Sequence, residues 1–271
     1  VICCSVQSGC PIGCTFCGTG RKYRRDLREW EILQQIEHVL LDNDIRHTIN
    51  DCEKFQIMFM SMGEPFMNYY EVRHAIAQLH GYYPNADLLV STMAPDNREV
   101  FKDFLQLSCD IDKVGLQFSV HGSTDHVRDE IIPHKNKMQL RQLRDYGVEW
   151  WYRTGRKPYV NYCVDWDFHD IDAKNLMNLF PANVFAFTFS VICNKTESDV
   201  MEFNRSWKDV HQDLDGIHAV VKTFQEAGYD TRMFDPAGQD DIGAGCGQLW
   251  LVQRMLNGAS WDEATTKPFG G

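Results

Sequence analysis

The sequence has no long hydrophobic run. Its longest apolar stretch, Val184 to Cys193, is broken by Thr188 and Ser190 and falls well short of the roughly 20 residues that a membrane-spanning helix needs. A helical span is excluded, and a soluble, cytoplasmic chain that touches no membrane is expected. Positive charge is also short: 27 Lys and Arg stand against 38 Asp and Glu, for a net charge of −11. Sequence-blind adhesion to a polyanion needs Lys and Arg for its phosphate contacts, so the composition opposes that class of function. Internal repeats, low-complexity tracts and linkers rich in Pro, Gly and Ser are missing, apart from the terminal Lys267 to Gly271. A single monomeric domain over residues 1–271 is the simplest expectation. No signal-peptide pattern precedes the first motif, and the chain opens on Val1 inside a strand-like run, as a core taken from a longer protein would.

Cysteine is not scarce. Ten cysteines in 271 residues could frame a disulfide scaffold, but such scaffolds are small, secreted and poor in core. A chain with 44% hydrophobic residues can bury a large core, so reduced thiols in a cytosol are expected. Against the acidic background, two basic clusters remain: Arg21, Lys22, Arg24, Arg25 and Arg28, and then Lys135, Lys137, Arg141 and Arg144. Each reads either as a local anion contact or as a solvated face.

Apolar and β-branched runs of strand length alternate with segments of helical period, the pattern of βα units around a parallel sheet or barrel. Strands are expected over Ile2 to Val6, Phe55 to Met60, Leu88 to Ser91, Val114 to Ser119, Tyr159 to Val164, Val184 to Val191 and Thr231 to Phe234. Helices are expected over Leu27 to Leu41, Tyr70 to Leu79, Arg98 to Leu107, Met138 to Tyr146, Ala173 to Leu179 and Val200 to Ala227. In (β/α) barrels the chemistry sits where strands end. Here those ends carry Cys10, Cys14 and Cys17, then Gly63-Glu64-Pro65, Ser91-Thr92, Ser119-Val120-His121 and Asn194.

The cysteines of Cys10-x-x-x-Cys14-x-x-Cys17 lie in a loop with Gly9, Gly13 and Gly18. Thiolates so close in sequence can wrap one soft metal centre, and glycines let the backbone turn around it. Three ligands leave one iron of a cubane open to the amine and carboxylate of a small molecule. The rival is a structural zinc site completed by a His or by Cys246.

By spacing, the motif is the signature of the radical S-adenosylmethionine (radical SAM) superfamily. With it come Cys3-Cys4-Ser5-Val6-Gln7-Ser8-Gly9-Cys10, Ser61-Met62-Gly63-Glu64-Pro65-Phe66-Met67-Asn68, Phe118-Ser119-Val120-His121 followed by Arg128-Asp129, and Asp241-Ile242-Gly243-Ala244-Gly245-Cys246-Gly247-Gln248-Leu249. In that order these resemble the motifs of the RlmN/Cfr family of adenosine methyltransferases. The resemblance implies a partial (β/α)6 TIM-like barrel of the radical SAM type. It implies a [4Fe–4S] cluster on Cys10, Cys14 and Cys17, and two molecules of S-adenosylmethionine per turnover. Gly63, Glu64, Ser91, Ser119, Val120, His121 and Asn194 would bind that cofactor, the Glu64 carboxylate accepting from its ammonium.

The resemblance further implies that Cys246 is methylated first, and that a 5′-deoxyadenosyl radical then takes hydrogen from its S-methyl group. The carbon radical adds to C2 or C8 of an adenine in 23S ribosomal or transfer RNA. Cys3, seven residues before Cys10, stands where the family places the cysteine that releases the product through a transient disulfide. A flavodoxin or ferredoxin would donate the electron. The chain departs from the family in lacking the usual N-terminal RNA-binding domain before Val1, in Gly245, and in the insert Trp150-Trp151-Tyr152. A smaller nucleotide or a peptide is the alternative acceptor.

Overall fold

The computed structural model describes residues 1–164, 168–191 and 214–234, together with Gly258 and Ser260. In chain order the elements are β1 (Ile2–Cys4), β2 (Gln7–Gly9), β3 (Tyr23–Asp26), α1 (Glu29–Asp42), β4 (Gln56–Phe59), α2 (Tyr69–Tyr82), β5 (Asp87–Thr92), α3 (Arg98–Asp110), β6 (Val114–Ser119), α4 (Asp125–Ile131), α5 (Leu140–Thr154), β7 (Tyr159–Val164), α6 (Asp170–Leu179), β8 (Ala186–Val191), α7 (Leu214–Glu226) and β9 (Thr231–Phe234). No helix among the described residues is long and apolar enough to cross a membrane. Two compact units divide the chain. One holds Val1–Ser8, Arg24–Ser119 and Asn136–Tyr159, the other Gly9–Tyr23, Val120–Lys135 and Val160–Gly271.

In the first unit β1, β4, β5 and β6 pair in parallel, with Ile57 opposite both Ile2 and Leu88, and Leu88 opposite Val114. Along β6 burial alternates: Val114, Leu116 and Phe118 are buried, while Gly115, Gln117 and Ser119 are only half so. Successive side chains of a strand point to opposite faces, so one face takes the helices and the other carries the polar residues. The helices answer with apolar stripes, such as Ile32, Ile36 and Leu40 of α1 at a spacing of four. Two of these helices begin on side-chain caps. The Asn97 side chain accepts from Val100 N–H at 3.3 Å to open α3, and the Gln142 side chain accepts from Gln139 N–H at 2.7 Å to open α5.

Helix α5 runs eight residues past the expected end at Tyr146, through Trp150-Trp151-Tyr152 to Thr154. Trp150 lies seven residues after Leu143, on the same stripe, and is fully buried. It stacks on Phe104 with ring centroids 5.4 Å apart, and the Arg156 guanidinium lies 5.7 Å from its ring. Aromatics lower helix propensity, but burial of an indole outweighs that preference. Gly155, left-handed at φ 69°, closes the helix with its N–H on Trp151 O at 2.8 Å.

The second unit contains β7 from Val160 onward, β8 and β9, the last two parallel with Phe187 opposite Thr231. Its core is aromatic, with Phe180, Phe185, Phe187, Phe189 and Phe224 fully buried. Tyr229 joins them and donates its hydroxyl proton to Phe180 O at 2.8 Å. The expected first strand, Ile2 to Val6, stops at Cys4 because Ser5 N–H turns to Gln35 Oε1 at 2.8 Å and Val6 N–H to Met62 O at 2.8 Å. The chain then forms the two-stranded ribbon of β2 and β3. The ribbon strands are too short for a periodic signal, and so is the seven-residue α4. Of the helix expected over Val200 to Ala227, the described part begins at Leu214.

Trp150→Ala removes the largest fully buried side chain of the first unit and should cost about 3–5 kcal/mol. Urea unfolding of the variant beside the parent protein measures it.

Candidate active site

The first unit builds a carboxylate nest from Gly63-Glu64-Pro65. Gly63 has φ +103°, and a Cβ there would lie 2.6 Å from Gln7 Cβ, so backbone conformation and space both require glycine. Glu64 caps the short 3-10 turn Pro65–Met67, where Pro65 loses nothing by lacking an N–H. The Glu64 side chain is buried, at 4% exposure. Its Oε1 accepts from Phe66 N–H at 3.0 Å and Thr92 O–H at 2.5 Å, and its Oε2 from Met93 N–H at 2.8 Å. Thr92 Oγ1 in turn accepts from Ala94 N–H at 2.8 Å, and Ala94 takes φ +62°. A buried carboxylate can only accept, and here three donors from two strand ends converge on it.

Two buried carboxamides tie this nest to the first strands, and sequence reasoning singled out neither. Gln7 Oε1 accepts from Glu64 N–H at 2.8 Å, and its Nε2 donates to Asp26 Oδ1 at 2.7 Å. Asn68 Nδ2 donates to Val6 O and Leu27 O, both at 2.7 Å. Their signal in sequence is membership of two motifs, Gln7 in Cys3 to Cys10 and Asn68 in Ser61 to Asn68, in which neither is assigned a role. On the half-buried strand face, Ser91 Oγ and Ser119 Oγ lie 3.3 Å apart, and Gln117 Nε2 donates to Ser91 Oγ at 3.1 Å.

On β1 the two adjacent cysteines face opposite ways. Cys4 is fully buried, its Sγ donating to Met58 O at 3.7 Å, and burial pushes its thiol up to about 12. Cys3 is exposed, and partial burial of its sulfur raises its thiol above the ordinary value. In the basic cluster that follows, Arg25 binds both Glu31 oxygens, at 2.6 and 2.7 Å, and Arg28 binds Glu71 at 3.1 Å.

The second unit holds the cysteine loop. Gly9 at φ +87° and Gly13 at φ +75° turn the chain, and a Cβ on Gly9 would collide with Lys22 O at 1.8 Å. Gly20 packs so tightly that its Cβ would stand 2.8 Å from Gly13 Cα. Cys10 N–H donates to Lys22 O at 3.0 Å, Cys17 N–H to Cys14 O at 3.1 Å, and Thr15 N–H to Ile131 O at 3.0 Å. Cys10, Cys14 and Cys17 are all half-buried. Among the described residues no three His, Cys, Asp or Glu side chains are gathered for a single ion. Each cysteine of an iron–sulfur cubane binds a different iron, and three thiols on one glycine-turned loop fit that donor set.

His121 follows β6 with φ +55° and is buried. Its Nδ1 accepts from Cys163 N–H at 3.1 Å, and the Phe16 ring meets it edge-on at 5.0 Å. With Nδ1 accepting, the proton of a neutral ring sits on Nε2, which can then only donate. Val120 N–H and His121 N–H both reach Asn161 O, at 3.0 and 3.4 Å, and Ser190 Oγ donates to Asn161 Oδ1 at 2.9 Å. Gly122 lets α4 approach, since a Cβ there would lie 2.6 Å from Arg128 N. Asn194 and Cys246 lie outside the described residues.

Burial, with the Arg128 guanidinium adding to it, pushes the His121 imidazole down from 6.5 to about 3. The unfolded chain takes up a proton at His121 near the ordinary value, and the folded chain does not. Stability is therefore intact above the ordinary value and falls as pH drops from 6.5 towards 3, by up to about 1.4 kcal/mol per pH unit. His121→Gln keeps an acceptor for Cys163 N–H and should flatten that slope in denaturant titrations at a series of pH values. Equal slopes in the two proteins would remove His121 as the cause.

The radical SAM superfamily pattern matches residues 4–154. The chain is 28% identical to the probable dual-specificity RNA methyltransferase RlmN of Heliobacterium modesticaldum, over 92% of this chain and 62% of that protein. To the dual-specificity RNA methyltransferase RlmN of Psychrobacter arcticus it is 27% identical, over 97% of this chain and 66% of that protein. It thus spans between three fifths and two thirds of the length of these relatives. The crystal structure of a radical SAM methyltransferase from Sphaerobacter thermophilus shares its fold with a TM-score of 0.73 at 23% identity, over 91% of this chain and 69% of that one. The fold is accordingly the α/β, partial TIM-like barrel of radical SAM enzymes, and the family implies a [4Fe–4S] cluster and S-adenosylmethionine. Matched from the buried Cys4 to the last residue of α5, over more than half of its length, the protein is a member of the radical SAM superfamily.

Proposed function

We propose that this chain is a methyltransferase that modifies an adenine carbon, C2 or C8, of ribosomal or transfer RNA, carrying the methyl group on Cys246. The observation that carries the reading is a glycine-turned three-cysteine loop in a chain that aligns over more than nine tenths of its length with proteins named RNA methyltransferases. Cys10, Cys14 and Cys17 would hold the cluster, which supplies when bound the electron for reductive cleavage of S-adenosylmethionine. Gly63 and Glu64 would receive the amino group of that cofactor. Ser91, Ser119, Val120, His121 and Asn194 would line the rest of it, with the His121 Nε2–H as a fixed donor.

Cys3 suits the resolving role better than Cys4, because it is exposed where Cys4 is buried with its thiol held near 12. A thiolate is the attacking species in such exchange. The Cys3 thiol is itself pushed up, so it must lose a proton when the product stands tethered. Its sulfur then bonds to that of Cys246 as the Cys246 S–C bond breaks, and the electron pair passes to the carbon attached to the adenine, which takes up a proton to complete the methyl group. An external thiol reduces the disulfide, and a flavodoxin- or ferredoxin-type protein is the proposed electron donor to a monomeric enzyme.

A smaller nucleotide or peptide acceptor is favoured by two observations. The net charge is −11, and Arg25 and Arg28 are paired with Glu31 and Glu71 rather than displayed alone.

Incubation with S-adenosylmethionine carrying a deuterated methyl group, a reductant and host RNA should give labelled methyladenosine on digestion and mass spectrometry. Label confined to Cys246 would reject RNA as the acceptor. Cys3→Ala should trap a covalent adduct between Cys246 and the nucleic acid, visible as a shifted, nuclease-sensitive band. An active preparation that forms no adduct would remove Cys3 from the reaction, and trapping by Cys4→Ala instead would reassign the role.

A further inference from the structure

The Gln7 side chain lies where the chain leaves for the cysteine loop, and Asp26 lies where it returns. Their hydrogen bond of 2.7 Å closes the neck of that loop. Gln7 is 1% exposed, and Gly63 packs against it without room for a Cβ. A carboxamide has one accepting and one donating end. Asp26 can only accept in its ionised form, so it takes the nitrogen end and turns the oxygen end towards Glu64 N–H, 2.8 Å away.

We propose that Asp26, acting through Gln7, is a positioning residue for Glu64: it fixes which way round the carboxamide sits and so couples the neck of the cysteine loop to the carboxylate nest. The inference rests on the reading of Glu64 as a contact of S-adenosylmethionine. Nothing else on the clasp need touch the cofactor. Placement of Glu64 depends on the polarity of a buried hydrogen-bond chain, Glu64 N–H to Gln7 to Asp26, and not on the bulk of the side chains. A chain of this kind can be reversed and then repaired. Gln7→Glu keeps an acceptor for Glu64 N–H but sets its second oxygen against the Asp26 carboxylate. Adding Asp26→Asn turns that repulsion back into an N–H donor.

The test is equilibrium binding of S-adenosylmethionine, by calorimetry without reductant, to the anaerobically reconstituted full chain. Iron and sulfide content and the unfolding midpoint are measured on each protein. Gln7→Glu should weaken binding on the order of 10- to 100-fold, the range set by a charge-assisted hydrogen bond, while retaining its iron and sulfide. Asp26→Asn alone keeps an acceptor and should change binding less than about threefold. The double variant should return to within about threefold of the parent. A double variant no better than Gln7→Glu, or a Gln7→Glu protein that binds as the parent does, overturns the inference. Glu64→Gln separates the two ideas. If it binds as the parent does, the reading of Glu64 fails and this inference with it; if it is weakened and Gln7→Glu is not, only the clasp fails. Should Gln7→Glu not fold, recovery of folded protein in the double variant is the rescue. Should neither fold, Asp26→Leu must bind more weakly than Asp26→Asn, and equal binding rejects the proposal.

Discussion

A carboxylate withdrawn from water must find donors in its surroundings, and on this chain Glu64 finds them from separate pieces of backbone. Phe66 N–H comes from its own turn, while Thr92 O–H and Met93 N–H come from the end of β5. None of these groups is near Glu64 in sequence except the first. An unpaired buried charge costs several kcal/mol, so these donors tie the end of β5 to the turn that follows β4. Gln7 extends the same requirement to β2 and β3 by taking the Glu64 N–H. The nest is thus held together by the protein's own donors.

The glycines enforce the complementary constraint. At Gly63 and Gly9 a side chain would meet Gln7 Cβ and Lys22 O well inside contact distance, at 2.6 and 1.8 Å. These glycines shape the backbone that carries Glu64 on its turn, and Cys10 on a loop whose neck is pinned by its own N–H to Lys22 O. Strand alternation does the same for Ser91 and Ser119. On the adjacent parallel strands β5 and β6, Ser91 lies opposite Gln117, and Ser119 stands two residues further along on the same face as Gln117.

Much of this was readable along the chain. Seven of the strands fall on apolar runs, and three of them, over Val114 to Ser119, Tyr159 to Val164 and Thr231 to Phe234, end where their composition changes. Less readable were α5, where three aromatics in a row obscured a stripe that continues, and the short ribbon, whose strands are shaped by contacts with residues far along the chain. Gln7 was silent for a related reason. A lone carboxamide in a strand looks like a surface residue until the backbone N–H and carboxylate that it bridges are brought beside it.

By itself the sequence determined the kinds of chemistry at hand: three thiols at short spacing, a glycine-carried acid, a second small-residue cysteine motif at Cys246, and the βα rhythm that puts polar residues at strand ends. These are local properties, set by residue type and by spacings that a few turns of backbone preserve. Only the tertiary structure decided which of two neighbouring cysteines is exposed, that His121 Nδ1 accepts from Cys163 N–H, and that Gln7 bridges Glu64 N–H and Asp26. Burial and hydrogen-bond partnership depend on which distant segments pack together, and that pairing is a property of the folded chain.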